Sequence, residues 1–349
     1  MTSAQPRFNP HWRRDKSAAF NLRENSTARE THQLTLWGKE VTVYANANLS
    51  IYSGQVCNAQ CGFCVEELRP ISRGHELQQQ RKIETDDTRY FNALERALIE
   101  LRPLNPTLSI TGGEPSKDPR LVQILQIVRK HAMRKITVTT NASGLLDEHD
   151  GQPLINHLIH SGVRHLNISR AHWDCALNAE IMHYNQGLDL AELEYIIKKT
   201  QQGGGRIRLS CVLTQHGIAT LDEIKEYLSF ASTLGLDNVV FRQLMKTDPT
   251  THLINPIVRW SDSERVELGP LFDQLEHAGF EFQQQVIGYY YYVEVWRYHG
   301  IDVVFEEADL AQLERHKQQH PELVHELIFH PDGRLCSSWQ PWDGVLMGG

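Results

Sequence analysis

A chain of 349 residues that is 40% hydrophobic can bury a large core in one domain with an appendage, without disulfide staples. Its 35 Lys and Arg against 43 Asp and Glu give a net charge of -8, which argues against a general nucleic-acid binder because no basic footprint dominates. No apolar run approaches the roughly 20 residues that cross a bilayer, and the opening MTSAQPRFNPHWRRDK lacks a secretory core. A cytoplasmic protein is expected, in which six cysteines serve thiol or metal chemistry.

Residues 1–45 read as a polar arm followed by a hairpin, LTLWGKEVTVYAN, turning at Gly38. From residue 46 to about 245 strands and helices alternate. A strand near Asn46 to Ser53 leads into a cysteine-bearing loop, and a helix from about Asp86 shows Tyr90, Phe91, Leu94, Leu98 and Leu101 on one face. The strand TLSIT is followed by Asp118 and Pro119, which are expected to cap and open a helix carrying Leu121, Ile124, Leu125 and Val128. KITVTT, a helix over Leu154 to Ile159, VRHLNIS, and a helix from Leu190 to Lys199 continue the rhythm. Gly203, Gly204 and Gly205 then lead into RIRLSCVLT, and Thr220 with Glu223 forms a capping box before NVVFRQ.

Six such units predict a parallel sheet wrapped by helices. One strand face carries Leu108, Ile110, Ile136, Val138, Leu166, Ile168, Ile207, Leu209, Cys211 and Leu213. The other carries Ser109, Thr111, Thr137, Thr139, Asn141, His165, Asn167, Ser169, Arg208 and Ser210. A doubly wound sheet is apolar on both faces. One consistently polar face predicts a curled sheet holding ligand and water on its inside, an α/β (β/α)6 partial TIM barrel. Residues 246–349 break the repeat and are expected to form a carboxyl-terminal α+β extension covering the barrel. In it YYYYVEVW and GIDVVFEE read as strands, with Tyr290, Tyr292, Glu294 and Trp296 on one face.

The sharpest motif is CNAQCGFC. Cys57, Cys61 and Cys64 are spaced as a three-point thiolate harness for an iron-sulfur cluster, leaving one iron open to a small molecule. The same thiols with His75 also make a legal zinc set. TGGEP ends the next strand, and Gly112 and Gly113 permit close backbone approach while Glu114 places a carboxylate at the sheet end.

CxxxCxΦC with Phe63, followed one unit later by GGEP, resembles the radical S-adenosylmethionine (radical SAM) superfamily. The resemblance covers about Asn46 to Gln243. It implies a 4Fe-4S cluster on Cys57, Cys61 and Cys64 that chelates SAM and cleaves it reductively to a 5'-deoxyadenosyl radical, which abstracts hydrogen from a small-molecule substrate derived from a nucleotide, sugar or amino acid. It further implies SAM contacts from Phe63, Gly112, Gly113, Glu114, Asn167 and Ser169, an oxidoreductase or lyase outcome, and an electron donor such as flavodoxin or ferredoxin. The layout is similar to the molybdenum-cofactor GTP cyclase group, including the terminal Gly348 and Gly349, but without the auxiliary-cluster cysteines, so one cluster is expected. Activation of a glycyl-radical protein is the alternative.

Arg208, on the polar face, is a candidate for the SAM carboxylate or a substrate anion, because a buried guanidinium needs such a partner. Arg242 is a further candidate whose register leaves its face open. His165, Arg170, His172 and Asp174 end or follow the fourth strand. Cys211 reads as a core residue, Cys175 as a loop residue, and Cys336 as either packed or a catalytic hydrogen donor to a radical.

Overall fold

The computed structural model describes residues 30–53, 56–64, 86–184, 187–247, 256–287, 290–340 and 343–348. The arm before residue 30, His75, Tyr289 and Gly349 lie outside the described residues. The strands are β1 (Thr31–Leu36), β2 (Lys39–Tyr44), β3 (Asn48–Tyr52), β4 (Thr107–Thr111), β5 (Ile136–Thr140), the short pair β6 (Glu148–His149) and β7 (Gln152–Pro153), β8 (His165–Ser169), β9 (Arg206–Leu213) and β10 (Asn238–Gln243). After these come β11 (Glu281–Ile287), β12 (Tyr291–Tyr298), β13 (Ile301–Ala308), β14 (Leu323–Val324), β15 (Leu327–Phe329), β16 (Leu335–Cys336) and β17 (Val345–Met347). The helices are α1 (Asp87–Glu100), α2 (Leu121–Lys130), α3 (Leu154–His160), α4 (Cys175–Met182), α5 (Leu190–Gln202), α6 (Leu221–Thr233), α7 (Pro256–Glu264), α8 (Leu268–Leu275) and α9 (Leu310–Gln319). None of the described helices is long and apolar enough to cross a membrane.

Local chemistry accounts for most boundaries. Asp86 caps α1 by accepting from Thr88 N–H at 2.8 Å, and α5 and α6 open with full capping boxes, Asp189 with Glu192 and Thr220 with Glu223. The start of α2 differs from the sequence expectation. Arg120 occupies the N-cap without a side-chain bond, because the Asp118 carboxylate is spent on Ser53 Oγ and on Arg120 N–H. Asp118 therefore joins α2 to the end of β3 rather than capping the helix.

β1 and β2 form the expected hairpin around Gly38, which sits at φ +77°, and β14 adds to it in parallel. The main sheet runs β11-β12-β13-β10-β9-β8-β5-β4-β3-β15-β16-β17 and is open. Every pairing from β13 through to β15 is parallel. The six predicted parallel strands thus gain a seventh, β13, on β10 and an eighth, β15, on β3. Neither was foreseen as parallel, since no βα rhythm announces them. The chain after residue 246 contributes β11 to β13 at one side of the sheet and β15 to β17 at the other.

The two faces separate as the alternation predicts. Leu108, Ile110, Val138, Leu166, Ile168, Leu209, Cys211 and Leu213 are buried against helix residues such as Leu94, Leu125, Ile196 and Leu228. Ser109, Thr111, Thr137, Thr139, His165, Ser169 and Arg208 are half-buried on the opposite face. A one-residue slip of β9 would turn Ile207, Leu209 and Leu213 to the polar side at about 1.5–3 kcal/mol each. Core packing therefore fixes which side chains face the site. On the polar side a cavity of about 210 Å³ is lined by Asn48 and Ser50 of β3, Ile328 of β15 and Trp339, together with Tyr290 and Tyr291 at the start of β12.

Candidate active site

The carboxyl ends of β3, β4, β5 and β8 gather the chemistry-bearing motifs at one edge of the sheet. The loop after β3 carries Cys57, Cys61 and Cys64 as half-buried thiols. Its start is held to the turn after β4 by Ser53 N–H donating to Thr111 O at 2.7 Å and Glu114 N–H donating to Val56 O at 2.8 Å. Asn141 Nδ2, just past β5, donates to Asn58 Oδ1 at 2.9 Å. On the far side the Met182 carbonyl at the end of α4 accepts from Gln60 N–H at 3.3 Å and from Cys61 Sγ at 3.4 Å. Cys57, Cys61 and Phe63 pack with Ile181 against Ala59, Ala171, Met182 and Tyr184.

The thiols are electrostatically coupled. Burial first, then thiolates at Cys64 and Cys57, and lastly the charge of Glu114, push the Cys61 thiol far above its ordinary range. A polynuclear cationic core shared by all three would relieve that repulsion, since metal coordination deprotonates thiols outright. Among the described residues no three His, Cys, Asp or Glu side chains converge closely enough to hold one metal ion. Three thiols on one loop are a donor set that fits an iron-sulfur cluster.

Glu114 stands at the end of the sheet, just past β4, and its carboxylate has partners within the protein. Its carboxylate is 2% exposed. Oε1 accepts from Ser116 N–H at 2.9 Å, Ser116 Oγ at 2.6 Å and Thr140 Oγ1, while Oε2 accepts from Asn141 N–H at 2.6 Å. Burial raises its pKa and these bonds oppose the rise. The carboxylate is thus engaged in clamping the ends of β4 and β5. Gly112 and Gly113 are required by the protein itself. At Gly112 (φ +82°) a Cβ would run into the Tyr52 ring, and at Gly113 (φ +48°) it would lie 2.5 Å from Ser53 O and 2.6 Å from Val56 O.

Deeper on the polar face, Asn167 is 4% exposed. It donates from Nδ2 to Thr139 Oγ1 at 3.1 Å and accepts from Arg208 Nε at 2.6 Å. Ser169 pairs in register with Ser210, and Arg242 Nε donates to Ser210 Oγ at 3.1 Å. Arg242 therefore shares the polar face, which resolves its register. His165 opens β8 and so stands at the amino end of the sheet, away from the site end expected from the sequence; burial first, then Lys135, Arg208 and Arg206, lower its pKa to about 4. Arg170, His172 and Asp174 serve local structure: Arg170 donates to Trp173 O and Cys175 Sγ, His172 Nδ1 accepts from Asp174 N–H, and Asp174 caps α4.

Cys336 is fully buried in β16 opposite Ile328, a residue of the cavity wall. Burial pushes its thiol up to about 12. Sequence reasoning missed three contributors: the Met182 carbonyl, the Tyr52 ring, and Trp260 of α7, whose indole lies 3.1 Å from the point where a Cβ on Gly62 would stand. No pattern in the sequence signals these contacts, because Met182 and Trp260 reach the loop from distant segments and Tyr52 meets Gly112 across 60 residues of chain.

The chain matches no protein-family model, and no characterised protein matches it in sequence. Solved structures match in fold. SuiB from Streptococcus suis superposes with a TM-score of 0.50 at 16% identity, over 84% of this chain and 60% of that one. SuiB bound to S-adenosylmethionine gives 0.46 at 20% identity, over 67% and 47%. Coproporphyrinogen III oxidase (HemN) from Escherichia coli, described as a radical SAM enzyme, gives 0.43 at 14% identity, over 72% and 67%. The chain thus spans 60% or less of these SuiB chains. At this identity the likeness concerns architecture alone, and this chain shares the α/β fold of SuiB.

Proposed function

We propose that the protein is a radical SAM enzyme acting on a small molecule. The observation that carries this reading is the triad of half-buried thiols at Cys57, Cys61 and Cys64, on a loop stitched to the Gly112–Gly113 turn in this fold. Bound there, a 4Fe-4S cluster and SAM supply reductive cleavage of SAM to a 5'-deoxyadenosyl radical that takes hydrogen from substrate. Cys57, Cys61 and Cys64 hold the cluster, and Phe63 packs beside it. Gly112, Gly113, Asn167, Ser169 and Arg208 line the path for SAM along the polar face. Glu114 keeps the glycine turn in position and contributes negative charge near the SAM ammonium. The open sheet is read as a partial barrel, supported by a cavity shared between β3 and the start of β12. Residues 246–349 close its sides, and a flavodoxin- or ferredoxin-class donor supplies the electron.

Burial keeps Cys336 in its protonated form, the form that gives up a hydrogen atom. Its place opposite Ile328, which lines the cavity, supports a role as hydrogen donor: the substrate radical would take the thiol hydrogen atom, and the thiyl radical left behind would regain one electron from the flavodoxin- or ferredoxin-class donor and one proton from solvent. Anaerobic reconstitution tests the whole reading. About four irons per chain, with 5'-deoxyadenosine and methionine formed from SAM after reduction, are expected. Zinc without iron, or a Cys61→Ala variant that still makes deoxyadenosine at the parent rate, would overturn it.

A further inference from the structure

The cavity on the polar side of the sheet carries a negative charge. Among the described residues that line it the charged side chain is Glu326, with no lysine or arginine beside it. Two donors hold that carboxylate. Trp339 Nε1 donates to Oε1 at 3.0 Å, which seats the acid against another lining residue, and Lys317 Nζ, not itself part of the lining, reaches Oε2 at 3.1 Å. A carboxylate has about four lone-pair sites, so acceptor capacity remains. His325, next in the chain, lines the same cavity and is 4% exposed. Its Nδ1 meets the Leu323 carbonyl at 3.0 Å. A carbonyl oxygen only accepts, so the proton of the neutral ring sits on Nδ1 and the lone pair on Nε2. Burial, which lowers the His325 pKa to about 4, keeps the ring in that neutral form and adds no cation to the wall.

Four aromatic rings stand around these groups. Tyr290 and Tyr291 have centroids 5.5 Å apart and planes at 89°, so the pair forms a corner. Tyr44, whose ring lies 5.2 Å from that of His325, and the Trp339 indole are the other two. The face of an aromatic ring is the negative side of its quadrupole and attracts cations, most strongly where water is excluded. A carboxylate, a neutral imidazole and four rings around about 210 Å³ favour an ammonium group and oppose an anion. The Trp339 ring also meets Tyr52 edge-on at 5.8 Å, and a Cβ on Gly112 would run into the Tyr52 ring. Trp339 and Tyr52 thus link the cavity wall to the glycine turn proposed to hold SAM.

We propose that the substrate is a small molecule bearing a primary alkylammonium group, held in this cavity with its N–H donors on Glu326 and its charge against the rings of Tyr44, Tyr290, Tyr291 and Trp339. Lys317 competes with it for Glu326. This deepens the radical SAM reading by naming the substrate class, and rests on that reading for the reaction that follows binding.

Calorimetric titration of the full chain at pH 8, before and after cluster reconstitution, tests the proposal with phenethylamine, its N,N,N-trimethyl analogue, 2-phenylethanol and phenylacetate. Phenethylamine should bind about ten- to one-hundred-fold more tightly than the uncharged alcohol, the trimethyl analogue more weakly than phenethylamine because it lacks N–H, and phenylacetate most weakly. Glu326→Gln should bring phenethylamine down to the level of the alcohol and leave the alcohol unchanged, which separates recognition of charge from loss of the cavity. Lys317→Gln, which removes the competing cation, should tighten the amine. Equal binding of amine and alcohol, tighter binding of the trimethyl analogue or of phenylacetate, or no tightening in Lys317→Gln would overturn the proposal. Amine binding that obeys these signs in a chain that loads no iron would leave this site standing and sink the radical SAM reading. Iron loading and SAM cleavage without selective amine binding would do the reverse.

Discussion

The Glu114 carboxylate accepts the Asn141 backbone N–H at 2.6 Å, while the Asn141 side chain donates to Asn58 in the cysteine loop at 2.9 Å. One buried acid thereby ties the ends of β4 and β5, and through Asn141 the loop that carries the thiols. Four donors converge on its two oxygens. Glu114→Gln puts an amide donor among them and leaves one unmatched, at a cost of about 1–3 kcal/mol. Urea unfolding should show that loss together with reduced iron loading. Unchanged stability with SAM affinity alone reduced would instead assign the carboxylate to the SAM ammonium.

Gly113 is the most constrained glycine near the loop. A side chain there meets two backbone carbonyls, Ser53 O and Val56 O, neither of which can swing away, on top of the left-handed φ of +48°. Gly235 also has a positive φ, +69°, but a Cβ there meets nothing within 4 Å. Gly235→Ala should therefore cost only about 1 kcal/mol and leave iron content unchanged. Gly113→Ala should displace the cysteine loop and lose cluster loading. Comparable iron content in the two variants would show that the loop tolerates the displacement.

His325 makes stability depend on pH. It packs against the Tyr44 ring at 5.2 Å and the His316 ring at 5.1 Å, with Lys317 and Glu326 as the other charges acting on it and Leu323 O as its Nδ1 partner. Burial first, then His316 and Lys317, lower its pKa from 6.5 to about 4. The unfolded chain thus binds the proton more readily, so stability is complete above pH 6.5 and is lost progressively as pH falls toward 4. At pH 5 the loss is about 1 kcal/mol once solvent screening is allowed for. His325→Gln should flatten the urea midpoint between pH 7 and pH 5. An equally steep dependence in that variant would assign the acid sensitivity to other groups, with His165 the first to test.

Much of this site was legible because strands alternate and helices cap. Ser109, Thr137, Asn167 and Arg208 were assigned to one face from period-two spacing alone, and burial of Leu108, Val138, Leu166 and Leu209 bears that out. The cysteine loop falls at the end of the first parallel strand, as the order of strand and motif required. What escaped were contacts between units. The donors that saturate Glu114 come from β5 and the turn beyond it, the Met182 carbonyl from α4, and Glu306, the ion-pair partner of Arg242, from a strand that joins β10 in parallel only in three dimensions. Local propensity carries no record of such pairings. The Asp118 misassignment has the same origin, since the pull of Ser53 on its carboxylate acts across 65 residues.

Cys336 and Cys175 make a contrast in thiol reactivity. Cys336 is fully buried with its thiol pushed up to about 12, whereas Cys175 is exposed beside the Arg170 guanidinium. Only thiolate reacts with iodoacetamide. At pH 8 the native protein should be alkylated at Cys175 while Cys336 stays protonated and unlabelled by mass spectrometry. Labelling of Cys336 at the rate of Cys175 would remove the buried thiol as a hydrogen donor.

Trp260 is the outer wall of the cysteine loop. Its indole stands where a side chain on Gly62, between Cys61 and Phe63, would have to go, with three ring atoms 3.1–3.3 Å from that point. Gly62→Ala must push the ring outward or shift the loop, and Trp260→Ala opens the room it needs. In a double-mutant cycle the two changes should therefore couple, the double variant regaining about 1 kcal/mol or more relative to the sum of the singles. Removing the indole should also expose the loop to solvent. The reconstituted cluster's visible absorbance should then bleach faster in air in Trp260→Ala than in the parent. Additive stabilities together with an unchanged bleaching rate would mean that Trp260 neither packs on the loop nor shields it.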